Sequence, residues 1–190
     1  MLEKILEGNI QIMDSVSDWK ESIRITGKPL LEKNIITENY IKAMIESIEK
    51  IGFYVILREN LAMPHARPED GTLGTGVSLL KLNEPVYYGD SKVQLIFVLA
   101  TKDANSHLET LMQLMGLFQD DESIEKLIKA QNYDEIFFDW IRCMFYTYSN
   151  TCNKIGAEDR EEKYKNIVKK YGEGIIDVFI DCNVDLIQIG

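Results

Sequence analysis

The chain carries two histidines, His65 and His107, and each stands where the local pattern ends an element instead of filling a core face. Histidine is a competent nucleophile near neutral pH, and an imidazole nitrogen forms a phosphoramidate from which a phosphoryl group leaves readily. A phosphoryl relay therefore favours histidine over serine. His65 lies in Leu61-Ala62-Met63-Pro64-His65-Ala66-Arg67-Pro68-Glu69-Asp70-Gly71, where the two prolines restrict the backbone on either side and predict a stiff loop. Arg67 can offer forked donors to phosphate oxygens. In Ser106-His107-Leu108-Glu109 the spacing fits an S-x-x-E capping box, with Ser106 as N-cap and His107 in the first helical turn. There the positive end of the helix dipole disfavours the imidazolium, and free backbone N–H groups make an anion site. Taken singly, His65 also fits an exposed turn, and His107 an ordinary helix start.

The elements that must position these residues read as follows. Ser17 caps a helix running to about Glu32, with Gly27 and Pro29 leaving its last turns open. Thr37 starts a second helix, whose stripe of Tyr40, Ile41, Met44, Ile45 and Ile48 stops at Gly52. Phe53-Tyr54-Val55-Ile56-Leu57 and Leu61-Ala62-Met63 predict two short strands that deliver His65 to a loop. After the turn residues 68–74, Gly76 to Leu82 reads as a strand, with connections at Glu84-Pro85 and Gly89-Asp90. Val93 to Ala100 is nearly all apolar, the pattern of a central strand covered on both faces. Helical spacing resumes at Asn105 with Leu108, Leu111, Met112, Met115 and Phe118, and further helices are expected at Glu122 to Ala130 and Tyr133 to Tyr148. The expected architecture is an α/β sandwich.

Composition bounds the rest. A chain of 190 residues supports one well-buried domain with a small appendage. We place the boundary near Asn150, with residues 1–150 as the domain and 151–190 as an extension made of a charged helix and a strand, Ile175 to Ile180. The net charge of −10, from 31 acids against 21 bases, argues against a nucleic-acid surface and confines any phosphate chemistry to a small local site. The N-terminus lacks the apolar core of a signal peptide, and no apolar run is long enough for a membrane span, so a cytoplasmic protein is expected. Cys143, Cys152 and Cys182 show neither paired nor zinc-ligand spacing. Asp177, Asp181 and Asp185 read as a solvated face, so no metal is expected. No Walker loop or GxGxxG motif occurs, so ATP and dinucleotide cofactors are unnecessary.

The series Ile51-Gly52-Phe53-Tyr54-Val55-Ile56, Ala62-Met63-Pro64-His65-Ala66-Arg67-Pro68-Glu69-Asp70-Gly71, Gly76-Val77-Ser78-Leu79-Leu80, Glu84-Pro85-Val86, Leu95-Ile96-Phe97-Val98-Leu99-Ala100, Asp103 and Ser106-His107-Leu108 resembles the IIA domains of the fructose-mannitol superfamily of the bacterial sugar phosphotransferase system, and within it the ascorbate-type IIA proteins. The resemblance covers roughly Met1 to Ser149. It implies a mixed central β-sheet with helices on both faces. It implies that His65, the histidine of the PHA motif, takes a phosphoryl group from the histidine phosphocarrier HPr and passes it to a cysteine of the IIB component during sugar uptake. Membrane IIC is then met only indirectly, and ascorbate is the sugar suggested by analogy. His107 matches the second histidine that supports the phosphorylated ring. Arg67 fits the PHAR form, and with Ser106 we expect it to bind the phosphate. Met63, Leu73 and Leu108 are candidates for an apolar rim around the nucleophile. Mannitol-type members carry an arginine near the end of the second helix, where this chain has Met44-Ile45-Glu46-Ser47. A second functional class uses the same residues: a regulatory module that senses phosphotransferase flux and binds a transcription regulator or kinase, with the extension as its contact. The Ile175 to Ile180 strand must pair with a sheet edge, either of its own domain or of a second subunit in a homodimer.

Overall fold

The apolar run that ends at Ala100 forms the strand about which the protein is built. The computed structural model describes residues 8–102, 110–111, 114–115 and 117–136. Its five strands are β1 (Ile10–Met13), β2 (Ile56–Arg58), β3 (Asn60–Ala62), β4 (Gly76–Tyr88) and β5 (Ser91–Ala100), arranged in one mixed sheet in the order β1-β4-β5-β3-β2. β1 runs parallel to β4 and β3 parallel to β5, whereas β4 with β5 and β2 with β3 are antiparallel. Side chains alternate across a strand, so β5 feeds two cores. Leu95, Phe97 and Leu99 pack with Leu61, Leu114 and Phe118 on one face, and Ile96, Val98 and Ala100 pack with Ile23, Met44 and Ile48 on the other. That second face is covered by helices α1 (Trp19–Glu32) and α2 (Glu38–Ile51), and the first by the helical residues 110–111, 114–115 and 117–118 and by α3 (Asp121–Lys129).

Helix α1 corrects one expectation. Its N-cap is Asp18, not Ser17: the Asp18 carboxylate accepts from the Glu21 N–H at 2.8 Å, while the Ser17 N–H donates to Glu21 Oε2 at 2.6 Å. The helix runs to Glu32 as expected, and so continues through Pro29. Proline has no N–H for the carbonyl four residues back, and that carbonyl, Ile25 O, instead accepts from Gln11 Nε2 of β1 at 2.7 Å. Gly27 lets the two helices close up, since a Cβ there would stand 3.1 Å from the Ile41 side chain.

Helix α2 buries the whole predicted stripe and ends at Gly52, whose φ of +100° suits glycine. The β-rich Phe53-Tyr54-Val55 is a turn and not a strand. Phe53 joins an aromatic cluster with Trp19 and Tyr88, at ring centroid distances of 5.5 and 5.8 Å, and the Val55 carbonyl accepts from the Met63 N–H at 2.8 Å. Tertiary packing here overrides strand propensity. β4 runs on past Leu82 through Glu84-Pro85, where the ladder with β5 is irregular between Lys81 and Val86; a break in the ladder is the place where a strand tolerates proline. A two-residue turn, Gly89-Asp90, then closes the hairpin, with Gly89 at φ +61°.

α3 is capped by Asp120, which accepts from the Ser123 N–H at 3.0 Å. Residues 133–136 are helical as expected. The remainder of that helix to Tyr148, the boundary near Asn150, all three cysteines and the Ile175 to Ile180 strand lie outside the described residues. Among the described residues no helix is long and apolar enough to cross a membrane.

Candidate functional site

His65 stands three residues beyond the end of β3, partly exposed, between the buried Pro64 and the partly buried Ala66. Its Nδ1 lies 3.0 Å from the carbonyl oxygen of Met63. A carbonyl only accepts, so Nδ1 is the protonated nitrogen and, in the neutral ring, Nε2 holds the free lone pair. Tyr54 packs its ring edge-on to the imidazole, with centroids 6.2 Å apart and planes at 84°. The Tyr54 hydroxyl is in turn 2.9 Å from Ser47 Oγ of α2. Ser47 thereby holds a tyrosine against the imidazole.

The loop after His65 is fastened to the start of α2. Asn39 Nδ2 donates to Asp70 O at 2.8 Å, the Thr37 N–H donates to Gly71 O at 2.9 Å, and the Tyr40 hydroxyl accepts from the Ala66 N–H at 3.1 Å. The Arg67 N–H donates to Asp70 Oδ2 at 3.2 Å, opening a short 3-10 turn at Pro68–Asp70. This leaves Arg67 exposed, with no ion-pair partner among the described residues. A free guanidinium two residues from an imidazole suits a dianionic ligand. Of the three rim candidates, Met63 is only 4% exposed and belongs to the core, because its N–H and carbonyl turn the chain inward at the strand end. Leu73 is exposed, and Leu108 lies outside the described residues. Ser106 and His107 also lie outside them. Sequence reasoning missed Tyr54, which had been absorbed into a strand, and the polar end of Tyr40, which had been counted only as core. The signal available was that a tyrosine hydroxyl on a buried stripe needs a hydrogen-bond partner.

Residues 4–138 match the family model described as phosphoenolpyruvate-dependent sugar phosphotransferase system, EIIA 2. The chain belongs to this family. The mannitol-specific cryptic phosphotransferase enzyme IIA component of Escherichia coli is 39% identical over 132 residues, spanning 68% of this chain and 90% of that protein. The solution structure under that description superposes with a TM-score of 0.71 at 38% identity, covering 74% of this chain and 98% of that one. The ascorbate-specific EIIA component of Escherichia coli is 30% identical over 132 residues, covering 67% of this chain and 86% of that protein. A complex of the Escherichia coli mannitol enzyme IIA with phosphorylated enzyme IIB matches with a TM-score of 0.62 at 25% identity, over 70% of this chain and 94% of that one. The mixed sheet with helices on both faces is thus the fold of this EIIA family, and the chain is a sugar-phosphotransferase component.

Proposed function

We propose that His65 is the phosphoryl acceptor and donor of this EIIA protein, loaded by the phosphohistidine of HPr and discharged onto a cysteine of a IIB partner. The observation that carries the reading is the Nδ1–H···O bond from His65 to Met63. It commits one nitrogen to the protein and leaves Nε2 as the nucleophile. In the loading step the Nε2 lone pair attacks phosphorus as the P–N bond of the donor breaks, and the leaving imidazole takes back its electron pair. In the unloading step a cysteine thiolate attacks the same phosphorus from the opposite side, the Nε2–P bond breaks, and the lone pair returns to Nε2. The proton stays on Nδ1, donated to the Met63 carbonyl throughout, and the carbonyl dipole offsets positive charge on the phosphorylated ring. Such in-line transfer needs positioning more than acid or base chemistry. Arg67, Ser106 and His107 are the proposed phosphate ligands, and Tyr54 shields one side of the ring from water.

The complex formed by the mannitol relative with its phosphorylated IIB supports IIB as the receiving partner. The imidazole meets a phosphorylated side chain and never a sugar, so the sugar is chosen by the IIB and membrane partners; ascorbate and mannitol are the two named by the relatives. The test is incubation with enzyme I, HPr and phosphoenolpyruvate. One acid-labile phosphoryl group is expected per chain, giving the phosphorus resonance of an Nε2 phosphohistidine, and His65→Ala is expected to remove it. Labelling that persists in His65→Ala overturns the assignment.

A further inference from the structure

The backbone around His65 is held by one buried hydroxyl. Tyr40 is 1% exposed, on the face of α2 that packs against the sheet. Its hydroxyl accepts from the Ala66 N–H at 3.1 Å and donates to the Leu99 carbonyl at 2.8 Å, with the Ala66 carbonyl at 3.2 Å as a second acceptor. The Ala66 N–H belongs to the peptide that joins Ala66 to His65, so this contact sets the plane of that peptide and with it the direction in which the His65 side chain leaves the backbone. Leu99 lies in β5 beyond Ala62↔Ile96, the last residue pair between β3 and β5. The tyrosine therefore bridges two diverging chain segments where no ladder joins them.

We propose that Tyr40 is a positioning residue for phosphoryl transfer: its hydroxyl locks the His65–Ala66 peptide to the end of β5, so that Nε2 is presented to the phosphorus in line. This rests on the assignment of His65 as phosphoryl acceptor. Two further features suit the role. Burial raises the phenol above its ordinary value of 10.0, so the hydroxyl keeps its proton and donates steadily across any working pH. With Met63 O holding the ring through Nδ1, two fixed atoms orient the imidazole, one through its backbone and one through its ring.

The test compares Tyr40→Phe with Tyr88→Phe. Tyr88 is equally buried, and its hydroxyl bonds to Ser22 Oγ of α1 at 2.8 Å and not to the His65 loop. Both variants lose one buried hydroxyl, so their losses of stability are expected to be similar. In Tyr40→Phe alone, the rate at saturating phosphorylated HPr is expected to fall about tenfold or more while KM for HPr stays within about twofold, because the docking surface is untouched and only the presented geometry changes. Nitrogen-detected NMR of unphosphorylated Tyr40→Phe is expected to show the His65 ring sampling both tautomers. In the wild-type chain the Ala66 amide is expected to exchange with solvent as slowly as the β5 ladder although it lies in a loop, a measurement that needs no variant to fold. Open-loop exchange at Ala66, or a Tyr40→Phe protein with the wild-type maximal rate, overturns the proposal. Failure of the wild-type chain to take up phosphate would instead overturn the His65 assignment, and the exchange and tautomer measurements would still judge the Tyr40 tie.

Discussion

An imidazole that alternates between bare and phosphorylated states needs one nitrogen given to the protein and the other to the partner, or the ring will turn and present the wrong atom. Here Met63 O takes Nδ1, while Tyr54, pinned through Ser47, flanks the ring. Neither contact supplies positive charge for the phosphoryl oxygens, so in the function proposed above that stabilisation falls to Arg67, Ser106 and His107. That places a specific demand on His107. His107→Ala is expected to leave the fold intact and to slow phosphoryl transfer by about two orders of magnitude or more, since removing one preorganised donor costs roughly 2.7–4 kcal/mol. Rapid-quench measurement of loading from HPr and unloading to IIB reads it directly; unchanged rates in both directions would remove His107 from the site.

At the scale of elements, the His65 loop is shaped by its seam with the N-terminal turn of α2. Gly71 sits at φ +126°, and a Cβ there would stand 2.0 Å from Thr37 Oγ1, so both backbone conformation and space require glycine. Gly52, at the other end of α2, has φ +100° but nothing within 4 Å. The pair separates strain from collision. Gly52→Ala is expected to cost about 1–2 kcal/mol from strain alone, and Gly71→Ala about 3 kcal/mol or more because the seam must also open. Urea unfolding of the two variants decides it: equal losses would show that the seam yields freely and does not hold the loop. α1 depends on a similar long-range arrangement, since its passage through Pro29 relies on Gln11 of β1 to satisfy the carbonyl that proline abandons.

For the molecule as a whole, the family fold is complete in its relatives at about three-quarters of this chain's length: the cryptic mannitol component is covered over 98% of its own length by 74% of this one. We therefore expect a chain ending near Asn150 to accept phosphate on His65. Labelling beside light scattering tests this, a dimer that becomes a monomer would place the extension between subunits, and a folded truncation that takes no phosphate would join the extension to the active site. The apolar run of β5, the apolar stripe and glycine stop of α2, and the proline-flanked His65 loop were legible in the sequence, because each depends on a period or on chemistry that neighbouring residues carry. What only the tertiary structure decided are the strand order β1-β4-β5-β3-β2, the turn at Phe53 to Val55, the escape of Pro29 through Gln11, and the hydroxyl of Tyr40. These are contacts between residues far apart in the chain: Tyr40 reaches Ala66 across 26 positions and Leu99 across 59. A local pattern states that a tyrosine faces inward, but the partner of its hydroxyl is fixed only when the sheet brings two distant segments to the same point, and the orientation of His65 depends on that meeting.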